Sequence, residues 1–205
     1  ANTRISDTWT LVGQALFSAS KHPNEEEDTG GAYKARFIRS GRHWDWFSWY
    51  EELTTGFRAE VGFLPRVGYR ETGIFTGYRF EVNKSSLVAI RPFLSANALN
   101  SFLDGDRERN VDAQLELEYK TGSISAGYNT GQERYGGKDF PTDRAKLFMG
   151  FSPRKWFSFY LHTSGGKQIY YDPEDPFVGF SVNGGAGLSI KPTDSLSTGI
   201  SYYRD

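Results

Sequence analysis

An all-β fold, an antiparallel up-and-down transmembrane β-barrel of the outer-membrane type, is what this sequence predicts. Three observations predict it: apolar residues recur with a period of two, aromatics reach 16% beside Gly 23 and Met 1, and the links between apolar segments alternate between short and long. The 205 residues suffice for one domain with a sizeable core or for one barrel, so a single domain over 1–205 is expected. A soluble antiparallel barrel or sandwich is the alternative, but such folds have no reason to sort their links by parity.

Whole classes of function fall away on composition. Lys+Arg 24 against Asp+Glu 25 gives a formal net charge of -1, so no global field draws nucleic acid, anionic lipid or acidic substrates. Cys 0 removes disulfides, thiolate metal sites and cysteine nucleophiles. No run of about 18 apolar residues is present, which argues against a membrane helix but not against membrane strands, whose alternation averages polar. The mean hydropathy of -0.57 fits that alternation. Ala1-Asn2-Thr3-Arg4 opens without a basic and apolar leader pattern, so a processed or truncated start is expected.

The segments follow in chain order. Trp9, Leu11, Ala15 and Phe17 alternate with Thr8, Thr10, Gln14 and Ser18, and Tyr33, Ala35 and Phe37 alternate with Lys34 and Arg36. Ile74, Thr76, Tyr78, Phe80 and Val82 oppose Gly77, Arg79 and Glu81. Val111 to Lys120 is the cleanest case, with apolar odd positions and charged or amide even positions. A helix would scatter those carboxylates around its circumference; a strand puts one face in oil and the other in water. The pattern continues through Ile124, Ala126 and Tyr128, then Ala145, Leu147, Met149 and Phe151, then Phe157, Phe159 and Leu161. Val178, Phe180, Val182, Ala186, Leu188 and Ile190 precede the closing Leu196, Thr198, Ile200 and Tyr202. About eleven segments result, many near the length that crosses a bilayer when tilted.

Tight links are expected at Gly41-Arg42, Asn83-Lys84-Ser85, Thr121-Gly122, Pro153-Arg154-Lys155 and Lys191-Pro192-Thr193-Asp194. Long polar links are expected over 22–30, 54–71, 132–142 and 165–176, with a shorter one at Asp104-Gly105-Asp106 between strands that project beyond the membrane. Short periplasmic turns and longer outer loops have this arrangement. A bacterial barrel closes with an even strand number, so about eleven strands predicts a partial chain of a larger barrel, completed by further residues or by partners.

The aromatic stretch His43-Trp44-Asp45-Trp46-Phe47-Ser48-Trp49-Tyr50-Glu51-Glu52 leads into Phe57, Gly62, Phe63 and Arg66, a Phe-x-x-x-x-Gly-Phe-x-x-Arg segment. With Gly127-Tyr128 to Glu133-Arg134-Tyr135 and Ile190-Lys191-Pro192-Thr193-Asp194-Ser195-Leu196, it resembles the C-terminal outer-membrane β-barrel region of an uncharacterised bacterial family. In that family a domain similar to family-9 carbohydrate-binding domains usually precedes the barrel. The resemblance spans most of the chain and implies an outer-membrane location and glycan-derived solutes.

Candidate residues divide between the inward row and the strand ends. The link residues Gly62-Phe63-Leu64-Pro65-Arg66 either place Arg66 and Arg70 as a constriction for anions or sugar carboxylates, or plug the barrel with those arginines paired to wall carboxylates. Lys34, Arg36, Arg79 and Lys146 share the inward row with Glu81, Asp112, Glu116 and Glu118, as a mixed-sign pore lining or as sealing ion pairs. Trp9, Trp44, Trp46, Trp156 and Tyr202 suit membrane-interface girdles better than sugar-stacking platforms, and Trp46 and Trp49 cannot share a face. The acidic stretches Asn24-Glu25-Glu26-Glu27-Asp28 and Asp172-Pro173-Glu174-Asp175 lack calcium-loop spacing and read as solvated loop charge rather than Ca²⁺ or lipopolysaccharide bridges.

Chemistry is not expected. His22, His43 and His162 lie outside any hydrolase or zinc motif, and Ser158 stands about 13 Å along a strand from His162. The expected role is a channel or uptake component of the bacterial outer membrane, without cofactor, metal or catalytic residue. Its expected partners are the lipid bilayer, lipopolysaccharide and proteins of an outer-membrane complex, and not nucleic acid. A membrane anchor for another domain is the alternative, and a soluble β-sandwich lectin is a third reading.

Overall fold

The computed structural model describes residues 1–20, 28–58, 66–172, 174–193 and 195–204. Its elements are all strands: β1 (Asn2–Arg4), β2 (Trp9–Ser20), β3 (Asp28–Arg39), β4 (Trp44–Leu53), β5 (Tyr69–Tyr78), β6 (Phe80–Lys84), β7 (Leu87–Ser101), β8 (Arg107–Tyr119), β9 (Gly122–Tyr135), β10 (Lys138–Arg154), β11 (Phe157–Tyr170), β12 (Phe177–Thr193) and β13 (Leu196–Arg204). They form one antiparallel up-and-down sheet in chain order, with β6 paired to β7 beside the main path. Among the described residues β1 and β13 do not pair, so the sheet is not closed.

The 13 strands exceed the eleven or so expected. The apolar run from Ile74 to Val82 is broken at Arg79 into β5 and β6. The strand β7 is the one expected before Asp104-Gly105-Asp106, although Phe93 and Leu99 interrupt its polar positions. The long link expected over 132–142 is instead a turn at Gly136-Gly137 between β9 and β10. Both glycines have positive φ, 58° and 78°, the backbone that a two-residue hairpin turn needs. The link over 165–176 also shrinks, because β11 and β12 pair out to Tyr170 and Phe177. Two register shifts fall between Phe151 and Arg154 and between Ile190 and Thr193. Each contains a proline, Pro153 or Pro192, which has no N–H for the ladder.

The chain divides into two compact units, one of 1–76, 95–110 and 132–139, the other of 77–94, 111–131 and 140–205. In the first, Ala32, Leu53 and Phe57 form a small buried cluster with Val67 and Tyr69 against it. The link after β4 turns back here: Gly30 and Gly56 let its backbone lie against the start of β3, where a Cβ on Gly56 would meet Thr29 O at 2.1 Å. Gly31 N–H donates to Thr54 Oγ1 at 2.8 Å and Thr54 N–H to Gly31 O at 3.0 Å. The length allows a sizeable core, yet the buried apolar side chains among the described residues are few, and none of large size is fully buried.

Candidate functional site

What replaces a core is a division between two faces. In the second unit the strand registers place Leu147, Met149 and Phe151 beside Phe159, Leu161, Ala186, Leu188, Ile200 and Tyr202 on one face. The other face carries Arg144, Lys146, His162, Ser164, Gln168, Ser181 and Asn183. The apolar face is the open one: Phe180 is 75% and Val182 57% exposed. On β8, Val111 is 44% and Leu115 46% exposed, while the intervening Asp112, Gln114 and Glu116 are half-buried. A water-soluble sheet inverts this order, because burial of such side chains is worth about 1.5–3 kcal/mol each.

Ion pairs tie the charged side chains of the polar face together. Arg79 forms a two-pronged pair with Glu118, Arg91 reaches Glu116 at 3.2 Å, and Lys146 reaches Asp112 at 2.7 Å. Glu81, opposite Ala89 on β7, lies on the same side near Arg79. In the first unit Lys34 pairs with Glu51 at 3.0 Å, and Glu51 also accepts from the Tyr69 hydroxyl at 2.7 Å. Arg36 lies opposite Trp49 on that same face, and Arg66 pairs with Glu108 at 3.7 Å. Sorting is looser in this unit, since Val12, Leu16, Ile38, Phe47 and Trp49 share the side of Lys34.

Arg66 and Arg70 do not converge. Glu51 and Glu52 are neighbours on β4 and so point to opposite faces; Arg70 takes Glu52 at 2.8 Å, on the side of Tyr50, and its guanidinium lies 5.6 Å from the Phe102 ring. Residues 62–65 of the expected plug, together with His22 and residues 24–27, lie outside the described residues. Phe57 and Arg66, which flank the plug segment, lie against the side of Leu53 and Glu108.

The expected girdle residues mostly meet at the short turns. Trp9 stacks on Phe37 at 4.5 Å and meets Trp44 edge-on at 6.1 Å, while Trp44 meets Trp46 at 6.4 Å. Arg39 lies 4.5 Å over the Trp44 ring, and Trp44 Nε1–H donates to Thr76 Oγ1 at 2.8 Å. In the second unit Trp156, Phe157, Phe159 and Phe151 make a chain of ring contacts at the turn after β10. Tyr202 instead lies opposite Ala186, away from the turn. A second aromatic pair, Tyr170 on Phe177 at 5.3 Å, closes the far end of β11 and β12. From Phe159 to Tyr170 a strand rises about 36 Å at ~3.3 Å per residue, or about 25 Å of height at a 45° tilt.

Loop carboxylates are held by local hydrogen bonds. Asp104 accepts from Asp106 N–H at 3.0 Å, and the Ser101 hydroxyl, followed by that N–H, holds its carboxyl below the usual range. Asp106 moves the other way, raised by burial and then by the Asp104 charge. Asp172 accepts from the N–H groups of Glu174 and Asp175, which lower it. No cluster of three or more potential metal-binding side chains occurs among the described residues. His162 hydrogen-bonds neither Ser158 nor Ser164; the Ser164 hydroxyl donates to Asn183 Oδ1 at 2.6 Å.

Sequence reasoning missed Arg91, Glu51, Glu52, Glu108 and Arg144. For Arg144 the signal was present, since it lies two residues before Lys146 on the same alternating row. No family model, curated protein or solved structure matches this chain.

Proposed function

We propose that this sheet spans the bacterial outer membrane as part of a β-barrel and serves as a channel or uptake component for glycan-derived solutes. The observation that carries the reading is the inverted sorting of side chains: exposed Val111, Leu115, Phe180 and Val182 on one face, hydrogen-bonded polar side chains on the other. Lipid solvates the first face and water the second. The aromatic group of Trp156, Phe157 and Phe159 at the short turn suits one interface of an apolar band, whereas Tyr170 and Phe177 at the far end belong to the polar face. An open edge is not tolerated in hydrocarbon, so β1 and β13 pair there with further strands or with a partner chain. Lipopolysaccharide and the bilayer are then the immediate surroundings.

Membrane anchoring is the second reading, favoured by the ion pairs of Arg79, Arg91 and Lys146, which crosslink and neutralise the polar face. Planar-bilayer recording separates the two. Stepwise conductance that falls on adding neutral oligosaccharide supports uptake; an electrically silent protein that stays with the membrane through alkaline washing supports the anchor. Recovery in buffer without detergent would sink both.

A further inference from the structure

Arg144 differs from the ion-paired cations on the polar faces and, like Arg36, has no carboxylate within 4.0 Å among the described residues. Lys34, Arg66, Arg79, Arg91 and Lys146 each lie within 4.0 Å of a carboxylate. Among the described residues Arg144 has only neutral partners: Nη2 donates to Gln168 Oε1 at 2.8 Å and Ser181 Oγ at 2.6 Å, and Nη1 to Ser164 Oγ at 3.5 Å. These bonds orient the guanidinium without cancelling its charge. A guanidinium has five N–H donors, so Nε–H and one Nη1–H remain for a ligand.

An aromatic surface lies next along the same face. His162 precedes Ser164 by two residues, about 7 Å along the strand. Its ring stacks on Tyr160 at 6.1 Å with 12° between planes and lies 5.8 Å from Tyr203, whose hydroxyl meets that of Tyr160. Beneath these rings are glycines: a Cβ on Gly185 would come within 2.7 Å of the His162 ring, and one on Gly187 within 2.5 Å of Tyr160. The rings therefore lean over these glycines, where any larger residue would displace them. Flat ring, amide and hydroxyl, and uncompensated guanidinium follow one another over about 13 Å of strand from His162 to the level of Gly166, the span of a disaccharide rather than of one sugar ring.

We infer that this strip binds an acidic saccharide of the uronate class. One pyranose ring of a disaccharide stacks on His162, hydroxyls bond Ser164 and Asn183, and the carboxylate of the adjoining uronate accepts from a remaining N–H of Arg144. The inference rests on the reading of this face as a solute path, and it names the solute.

Equilibrium calorimetry on the full chain in detergent tests it, with a glucuronate-containing disaccharide, its neutral glucose counterpart and inorganic phosphate as probes. The uronate is expected to bind at least about tenfold more tightly than the neutral sugar or phosphate, as a charged pair at a positioned guanidinium requires. Arg144→Gln should bring it down to the neutral sugar, and His162→Ala should weaken both sugars. Lys167→Gln, in an ion pair with Asp143 on the other face, should change neither. Equal affinity for the two sugars, phosphate binding as tight as the uronate, or an unaltered Arg144→Gln overturns the site. If Arg144→Gln loses its native circular dichroism, Arg144→Lys decides: it keeps the charge but loses the fork and should bind several-fold more weakly, and unchanged binding counts against the proposal. Uronate binding by a protein silent in bilayers leaves the site standing and removes the channel; conductance without uronate preference does the reverse.

Discussion

The stretch around β7, β8 and β10 and the stretch of β11, β12 and β13 expose the same kind of apolar face but fill their polar faces by different chemistry. Around β8 the side chains are long and charged, and each cation of the row has an anion: Arg79 with Glu118, Arg91 with Glu116, Lys146 with Asp112. Across β11 to β13 they are hydroxyls, amides and rings laid over Gly185 and Gly187. The first arrangement braces a wall, since paired charges hold neighbouring strands in register and leave little net field. The second leaves a low-relief surface bordered by Arg144 of β10, whose partners among the described residues are neutral.

The largest expected effect tests what the two stretches share. Leu115→Arg and Val182→Arg should each lower stability in lipid vesicles by about 2–4 kcal/mol if near the midplane, measured by reversible urea unfolding, whereas Gln114→Arg should cost less than about 1 kcal/mol. Equal penalties at positions 114 and 115 would erase the distinction between faces. Next comes a change confined to the glycine-floored stretch. Gly187→Val drives a side chain into the Tyr160 ring and should cost about 1–3 kcal/mol by the same assay. Its fluorescence signature is a more exposed tyrosine.

Glu118→Gln then probes the braced stretch. Both members of the pair are about a third exposed or less, 29% and 30%, so the loss should be about 1 kcal/mol after screening. In bilayers the loss of the Glu118 negative charge should shift the reversal potential toward anion selectivity. The smallest effect lies outside both stretches, at the hairpin between β7 and β8. The Asp104 carboxyl is depressed in the folded state, so its stabilisation is present above the unfolded value of about 3.9 and is lost as pH falls through the lower folded value. Asp106 is raised and has the opposite sign: its ionisation disfavours the hairpin as pH rises past the unfolded value. Asp104→Asn should therefore loosen amide exchange at the tip, and Asp106→Asn tighten it, each by a few tenths of a kcal/mol at pH 7 because the carboxylates are largely solvated.

Much of the sheet was legible because alternation is a local signal. Val111 to Tyr119 alternates without a break, and the structure exposes Val111 and Leu115 as that pattern requires. β7 was legible from its flanking links rather than from alternation, because Phe93 and Leu99 stand where polar residues belong, and Arg91 was overlooked as a wall cation. The link at 132–142 was misjudged because polarity outweighed the Gly136-Gly137 pair, whose positive φ values close a tight turn. Pairing partners are a different matter. That Arg79 meets Glu118, or that Arg66 and Arg70 point to opposite faces, depends on register and on the path of a link, which period two does not encode.

The Gly136-Gly137 turn makes the tip between β9 and β10 a tight paired hairpin where a longer polar link was expected. Trypsin needs an unfolded backbone at Arg134 or Lys138, and a paired strand denies it one, so this hairpin should resist digestion in the folded protein. An antibody raised against a linear peptide of that stretch would miss it, whereas one selected on the folded hairpin would grip a fixed shape.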